Sequence, residues 1–335
     1  SLFPALVSLA FCACSPVYVM QSAAGHADLL LRRKSMAKAV KDPRTPQPLR
    51  ARLELAQDIR RFAFQTLGLK RTRDFGTYVS LDRPAVTFLV SGSRKTKLEP
   101  YTWSFPFIGR FPYKGHFSKA RALREKSRLE RLGYDAAVGG AAAYNTPLPF
   151  SDPLPSPALK LSTGALASLL IHELAHGTVY FTSQMDFNEA AAEFIGRRGS
   201  REFLAAHFGP ASTELAEYRR ELEQDRRVDA VFSRLRERLE ELFASAQSEE
   251  TKLREREPAF AQAATELSAL GEQPAALNNA IVLAHGLYND DQSPFEVLFD
   301  RCAGDWKRFL ATLRTLDSRR PLDALRAKKD CSCEK

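Results

Sequence analysis

The sequence predicts an α+β fold that is mainly helical, with a small β-sheet and a long, charged helical hairpin. Apolar residues recur three or four positions apart over much of the chain, which is the helical spacing. Two short β-branched runs alternate near residue 85, and residues 214–256 combine helical spacing with many charges. The chain has 335 residues, 44% of them hydrophobic, so it can bury a large core and disorder of the whole chain is excluded.

Residues 1–14 differ in composition from the rest of the chain. Residues 2–13 form an apolar run of about twelve, which suits the hydrophobic region of an export signal better than a membrane-spanning helix. The run ends in Phe11-Cys12-Ala13-Cys14, which resembles a degenerate bacterial lipobox in which Cys14 would carry the lipid. Plain export and a core strand are the alternatives. We therefore expect a signal-like or lipobox-like segment over 1–14 and one folded domain over 15–335.

The predicted elements follow in order along this domain. Residues 21–68 have apolar side chains at helical spacing and predict helices. Residues 78–81 and 85–90 alternate and are β-branched, so they predict two strands of one small sheet with Pro84 in the turn between them. Aromatic residues among Pro and Gly over 101–115 predict an ordered, non-helical segment.

Charged helices follow in the second half. Residues 118–132 predict the first of them, and residues 201–270 predict a charged helical subregion. Within that subregion, residues 214–256 predict an amphipathic helix or hairpin that is interrupted near 245–248 and ends at Pro258. We expect this subregion to pack against the rest of the domain, and an intermolecular coiled coil is the alternative.

The charge and the cysteine spacing argue against two kinds of site. The formal net charge is +9, but the basic residues are scattered and no basic stripe interleaved with aromatics accompanies them. We therefore expect a solvated or membrane-facing basic surface and no nucleic-acid partner. The five cysteines contain no CxxC pair of the zinc-ribbon type. Cys331 and Cys333 lie in the polar tail, where we expect a frayed terminus rather than a redox pair.

One predicted helix carries residues that bind metal ions in other proteins. Residues 161–181 are rich in Ala and Leu and begin with a Ser-Thr cap, so they predict a buried helix. His172 and His176 lie one turn apart on one face of this helix, where both imidazoles can bind one ion. Glu173 lies about 100° around the helix from His172, which suits a general base acting beside the ion. Burying these groups is costly without a cation, although a hydrogen-bonded core histidine pair is the alternative.

A third ligand is predicted on the following helix. Residues 186–195 predict a helix that runs back past the first one. Glu189, near its start, can complete a His-His-Glu set that leaves a fourth position for water, and such a set is typical of Zn²⁺. Glu193, one turn further on, is the alternative third ligand, and otherwise we expect it to hydrogen-bond a ligating histidine.

These residues resemble a known class of enzymes. HELAH at 172–176 followed by FNEA at 187–190 is similar to the gluzincin pattern of thermolysin-like and aminopeptidase-like zinc enzymes. Over nearly the whole chain the sequence also resembles the bacterial predicted aminopeptidase family, whose members are often lipoproteins. Besides the HELAH helix, the segments that carry this resemblance are Trp103–Pro106, Pro112–Gly115, Ala143–Thr146, Tyr288–Asp290 and Gly304–Trp306.

The resemblance implies a gluzincin-like metallopeptidase core and a function. It implies zinc-dependent hydrolysis of peptide bonds, with Glu173 as the general base. For the oxyanion donor we expect Tyr288 first, then His285, Tyr144 or Tyr180. The implied substrate is a peptide. The implied location is the bacterial cell envelope, either anchored on the periplasmic side through the N-terminal lipid or exported.

The sequence also departs from the gluzincin pattern in two places. The gap between His176 and Glu189 is shorter than in thermolysin-like enzymes, so the second helix must return through a tight connection at 182–186. No GAMEN-like segment, which holds the substrate amine in the best-known gluzincin aminopeptidases, is visible. Glu99 is the acidic residue in the region where an equivalent would lie. The alternatives to a peptidase are an inactive zinc-binding envelope scaffold and a zinc hydrolase of another amide or an ester.

Overall fold

The computed structural model describes residues 16–105, 109–142, 151–274, 276–286 and 292–331. The described part is mainly helical with small sheets, as predicted. Its α-helices are α1 Pro16–Arg32, α2 Met36–Lys41, α3 Gln47–Gln65, α4 Lys119–Arg131, α5 Thr163–His176, α6 Met185–Phe208, α7 Thr213–Ala244, α8 Glu249–Ala269, α9 Asn279–Gly286, α10 Ser293–Arg301, α11 Trp306–Arg314 and α12 Pro321–Ala327. Its strands are β1 Lys34–Ser35, β2 Thr77–Val79, β3 Thr87–Ser93, β4 Trp103–Phe105, β5 Gly109–Phe111, β6 Tyr113–His116, β7 Asp135–Ala141 and β8 Leu154–Pro155.

The described strands form three separate sheets. In the first sheet, β2 pairs with β1 in antiparallel and with β8 in parallel orientation. In the second sheet, β3 lies between β6 and β7, and both pairings are antiparallel. β4 and β5 form a two-stranded antiparallel ribbon. The prediction that 78–81 and 85–90 are strands of one sheet was therefore wrong, because β2 and β3 belong to different sheets.

The two strands do not form a hairpin because each one pairs elsewhere. The backbone N–H of Ser156 donates to the carbonyl of Val79 at 2.9 Å. The hydroxyl of Ser156 accepts the N–H of Leu81, also at 2.9 Å, so the segment after β8 binds the end of β2. Arg83 donates to both carbonyls at 85–86, each at 3.1 Å. These bonds pair several polar groups between β2 and β3, although the two strands do not pair with each other.

Most of the charged subregion 201–270 is a helical hairpin, as predicted, although residues 201–208 belong to α6. Helix α7 and helix α8 pack against each other, and the chain reverses between them at 245–248. The hydroxyl of Ser248 caps α8 by accepting the N–H of Thr251 at 3.2 Å. Helix α7 also packs against α5, α6 and α9, so the hairpin is part of the body of the protein.

Pro258 does not end the hairpin, contrary to the sequence prediction. It lies inside α8, which continues to Ala269. An internal proline costs roughly 3 kcal/mol because it removes a helix hydrogen bond and crowds the preceding turn. Ala259 and Phe260, directly after it, are buried in the core that α7 and α8 share. We infer that this burial offsets the proline, which itself faces solvent.

The largest hydrophobic core surrounds α5 and α6. It includes buried side chains from α3, α10 and α11 as well. The ring of Phe194 on α6 lies 5.8 Å from that of Phe295, 6.0 Å from that of Phe299 and 5.3 Å from that of Phe309. Aromatic pairs at these separations stabilise a fold by more than their buried area alone would give. These contacts therefore fix the position of α6 on this side.

A disulfide joins Cys302, at the end of α10, to Cys331. Cys302 is fully buried, and the bond ties the C-terminal segment to the core. The expectation that Cys331 belongs to a frayed terminus was therefore wrong. Spacing alone did not indicate the pair, because 29 residues separate the two cysteines and only the fold brings them together.

Cys333 lies outside the described residues, as do residues 1–14 with Cys14. Among the helices that the structure describes, none has both the length and the apolar content needed to cross a bilayer.

Candidate metal centre

Helix α5 carries the HELAH motif and is buried along most of its length. Its N-terminus is capped by Ser162, whose hydroxyl accepts the N–H of Ala165 at 3.0 Å. Seven of its residues are buried: Gly164, Leu166, Ala167, Leu170, Ile171, Leu174 and Ala175. His172, Glu173 and His176 are half-buried on the remaining surface. The helix ends at His176, so the predicted helix over 161–181 is shorter at both ends.

Helix α6 passes close to α5 where Gly196 faces His172. A Cβ atom added at Gly196 would lie 2.9 Å from the carbonyl oxygen of Ser168 and 3.1 Å from the Cβ of His172. Gly199, one turn further along, faces Ile171 in the same way, at 3.2 Å from its Cγ2. Two glycines at this crossing therefore permit a helix separation that larger residues would prevent. Consequently, carboxylates on α6 can reach the imidazoles of α5.

The connection from α5 to α6 is fixed by Asn188. Its side-chain oxygen accepts the N–H of Phe181 and its amide nitrogen donates to the carbonyl of Phe181, both at 2.8 Å. Asn188 is buried, and leaving either backbone group unpaired would be costly. This two-point contact closes the short return at 177–184 and sets the position of the next residue, Glu189. The tight connection that the sequence required is therefore present.

Three side chains converge as the sequence predicted. The ligand atoms of His172, His176 and Glu189 all lie within 4.8 Å of one another. The two Nε2 atoms of the histidines are 3.2 Å apart. The Oε2 of Glu189 is 3.4 Å from His172 Nε2, and its Oε1 is 3.7 Å from His176 Nε2. Two nitrogens and one carboxylate so arranged match the protein ligands of a catalytic zinc site.

Glu193 contacts the second ring nitrogen of His172. Its Oε2 lies 3.3 Å from His172 Nδ1, which leaves Nε2 directed at Glu189 and His176. Glu193 also forms an ion pair with Arg197, one turn further along α6. Glu193 therefore lies beside the nitrogen of His172 that points away from Glu189 and His176, where a residue that orients a metal-binding histidine would be expected.

The pKa values of the two imidazoles are shifted in opposite directions. Burial disfavours charge on His172, but its hydrogen bonds with Glu189 and Glu193 outweigh burial and raise its pKa to about 10. Burial and the charge on His172 lower the pKa of His176 to about 4. Burial also disfavours the charged forms of Glu189 and Glu193, yet the hydrogen bonds with His172 outweigh it and lower the pKa of both carboxyls. A cation that binds both Nε2 atoms must therefore displace the proton of His172.

Glu173 lies next to the ligand set. It is half-buried, and its charge is one of the interactions that raise the pKa of His172. An acidic side chain at this place is suited to accept a proton from water at the centre.

The other predicted site residues have partners of their own, are exposed, or lie outside the described residues. Tyr288 and Tyr144 are outside the described residues. His285, on α9, has its Nε2 3.0 Å from Asp229 Oδ1 and its ring stacked on Phe232. Tyr180 follows α5 and is 61% exposed. Glu99, considered for the substrate amine, is exposed and paired with an arginine, Arg94.

Sequence reasoning assigned no role to Asn188, Gly196 or Arg197. One signal was available, because Glu189, Glu193 and Arg197 recur every four residues and therefore lie on one face of a helix. The contacts of Asn188 and Gly196 depend on how two helices and a loop meet, which no local pattern encodes.

The chain matches a known protein family over most of its length. No curated protein and no solved structure matches the chain. The model of the family described as "Putative aminopeptidase" matches residues 17–327. This span includes α5 and α6, which carry the candidate ligands, and covers most of the 335 residues. The chain therefore belongs to the Putative aminopeptidase family.

Proposed function

We propose that this protein is a zinc-dependent peptidase of gluzincin type, with His172, His176 and Glu189 as metal ligands and Glu173 as general base. The name of the family indicates a peptidase. The observation that carries the proposal is the convergence of two imidazole nitrogens and one carboxylate within 4.8 Å, from two buried helices. This donor set fits zinc and leaves a coordination position for water or substrate.

The residues around the ligands have distinct roles in this proposal. Zinc, when bound, would polarise the scissile carbonyl and make water acidic enough to react near neutral pH. Glu173 accepts a proton from the attacking water and passes it to the leaving amine. Glu193 holds His172 through Nδ1 so that Nε2 stays directed at the centre. Arg197 compensates the charge of Glu193 and fixes its orientation.

We also propose Tyr288 as the donor to the oxyanion. It follows α9, which packs against α7 and the second sheet. Replacing it with Phe is expected to lower kcat by roughly 10²–10³-fold while zinc is retained. Tyr180→Phe is the matched control, since Tyr180 is largely exposed, and it should leave kcat unchanged. If Tyr180→Phe lowered kcat and Tyr288→Phe did not, the donor would be Tyr180 and not Tyr288.

For the location we propose export to the bacterial cell envelope, with lipid attached at Cys14. The disulfide between Cys302 and Cys331 supports export, because such bonds persist in oxidising compartments. Mass spectrometry of the protein from membranes tests the lipid: the expected N-terminal residue is acylated Cys14. A mature protein with an unmodified N-terminal residue would indicate that the protein is exported but carries no lipid.

Peptide hydrolysis by purified protein tests the proposed function. The substrates are peptides with free and with blocked N-termini, so that one panel also separates an aminopeptidase from an endopeptidase. We expect wild-type hydrolysis and a loss of about 10²–10⁴-fold in Glu173→Gln, with zinc retained. Glu217→Gln, on an exposed position of α7, is the matched control and should behave as wild type. Zinc bound without hydrolysis of any peptide by wild type would favour the inactive scaffold.

A further inference from the structure

Helix α1 has an outward face that is apolar where a surface helix is normally polar. Its exposed positions repeat every four residues at 19/20, 23/24, 27/28 and 31/32. Val19 is 50%, Met20 71% and Leu31 85% exposed, and alanines occupy 23, 24 and 27. Helices on protein surfaces usually direct charged and polar residues to solvent. The first acidic residue of α1 is Asp28, which is paired with Arg32.

Helix α4 adds positive charge beside this apolar face. The two elements border one cleft of about 610 Å³, in which Met20 and Ala24 face Phe117 and Arg121. Arg121 and the neighbouring exposed Lys119 and Arg124 carry the charge.

The acidic residues of α4 are already engaged. Glu125 accepts hydrogen bonds from Trp103 and Arg128, and Glu130 pairs with Lys126. The basic side chains at the start of α4 are therefore not neutralised by the acidic residues of their own helix.

The position of α1 within the chain indicates what this surface meets. The helix begins at residue 16, directly after the apolar run 2–13 and the candidate lipid site at Cys14. Tyr18 is anchored to β6, since its hydroxyl donates to the carbonyl of Gly115 at 2.9 Å. The start of α1 is thus attached to the fold, only a few residues along the chain from the candidate lipid site.

We propose that the outward face of α1, together with the basic start of α4, lies on the surface of a membrane that contains anionic lipids. Exposed apolar residues flanked by basic side chains are the features of helices that bind in the plane of a bilayer interface. A second copy of the chain fits this surface less well. A two-fold interface centred on the start of α4 would bring Arg121 and Arg124 of both copies together, and like charges repel.

Binding to lipid vesicles tests the proposal. The protein is the full chain with Cys14→Ser, so that no attached lipid contributes. The vesicles contain phosphatidylcholine alone or with about one-third phosphatidylglycerol. We expect binding to the anionic vesicles that weakens as salt is raised.

Variants of the two surface components separate their contributions. Met20→Ser with Leu31→Ser should lower the partition coefficient on the order of tenfold, since two exposed apolar side chains are removed. Arg121→Ser with Arg124→Ser should lower it more than tenfold on anionic vesicles and leave it unchanged on pure phosphatidylcholine. Arg219→Ser with Arg220→Ser, on exposed positions of α7, makes the same change in net charge and should have less than a twofold effect.

The substituted positions on α1, α4 and α7 are exposed, so thermal unfolding and peptide hydrolysis should stay as in the protein that carries Cys14→Ser alone. Equal vesicle binding by every variant would assign binding to residues 2–13 and overturn the proposal. Absence of vesicle binding would also overturn the proposal. So would substitutions that change the oligomeric state of the protein and leave vesicle binding unchanged. Loss of peptide hydrolysis in the unsubstituted protein would count against the zinc site and not against this surface.

Discussion

Gly196→Ala tests whether the close approach of α5 and α6 assembles the centre. The added Cβ would lie 2.9 Å from the carbonyl oxygen of Ser168 and 3.1 Å from the Cβ of His172. The oxygen belongs to the backbone of α5, so it cannot rotate away as the end of a side chain could. The helices must separate by a few tenths of an ångström, and the separation falls at His172, which we propose as a metal ligand.

Two opposing effects set the size of the change in stability. Alanine is favoured over glycine in a helix interior by up to about 1 kcal/mol. Overpacking a closely packed contact costs about 1–3 kcal/mol. Because the contact is with a helix backbone, we expect the second effect to dominate and the free energy of unfolding to fall by about 1–2 kcal/mol. Displacing His172 relative to Glu189 should weaken zinc affinity on the order of tenfold, as changes behind a ligand typically do.

Chemical unfolding and competition with a zinc chelator measure the two effects. Gly139→Ala is the matched control, because nothing lies within 4 Å of a Cβ added there, and its stability should change by less than about 0.5 kcal/mol. If Gly196→Ala stabilises the protein by its helix propensity and leaves zinc affinity unchanged, the reasoning about this crossing is refuted.

Four further predictions concern other parts of the structure. Asn188→Ala should destabilise the protein by about 2–3 kcal/mol and weaken zinc binding, because two buried hydrogen bonds are lost; unchanged zinc affinity would contradict its positioning role. Zinc binding at pH 7 should release about one proton per site, measured by calorimetry in buffers of different ionisation enthalpy, because the pKa of His172 is raised to about 10; no release would contradict the proton assignment. Glu125→Gln should cost about 2 kcal/mol at pH 7, because burial disfavours the charged form of Glu125 but hydrogen bonds outweigh it and lower its pKa from 4.5 to about 2. This difference should persist at pH 5 and be lost as the pH falls from about 4.5 through about 2. Cys331→Ser should lower the free energy of unfolding by roughly 3–4 kcal/mol, judged from a separation of 29 residues, whereas an unchanged thermal midpoint would exclude the disulfide.

The helices were predictable because their signals are local. Apolar spacing and caps indicated α5, and the break at 245–248 indicated the hairpin of α7 and α8. The HELAH helix also gave the relative position of His172 and His176, since four residues make one turn of an α-helix. Placing Glu189 beside them needed one further assumption, that the next helix runs back along the first.

What the sequence left open depends on contacts between distant segments. The partners of β2 and β3 lie far along the chain, so alternation predicted strands but assigned the wrong pairing. Pro258 is tolerated inside α8 because adjacent residues are buried, which overrides a local helix-breaking signal. The bond between Cys302 and Cys331 likewise follows from the packing of α10 and α11 against the C-terminal segment.

Zinc stoichiometry measured together with X-ray absorption at the zinc edge tests the central claim most directly. The proteins are wild type, Glu173→Gln, Glu189→Ala and, as a control on an exposed position of α7, Glu217→Ala. We expect one zinc per chain with two nitrogen ligands from imidazole in wild type, Glu173→Gln and Glu217→Ala, and weakened binding in Glu189→Ala. Absence of stoichiometric zinc from wild type, or a spectrum dominated by sulfur ligands, would contradict the proposed centre.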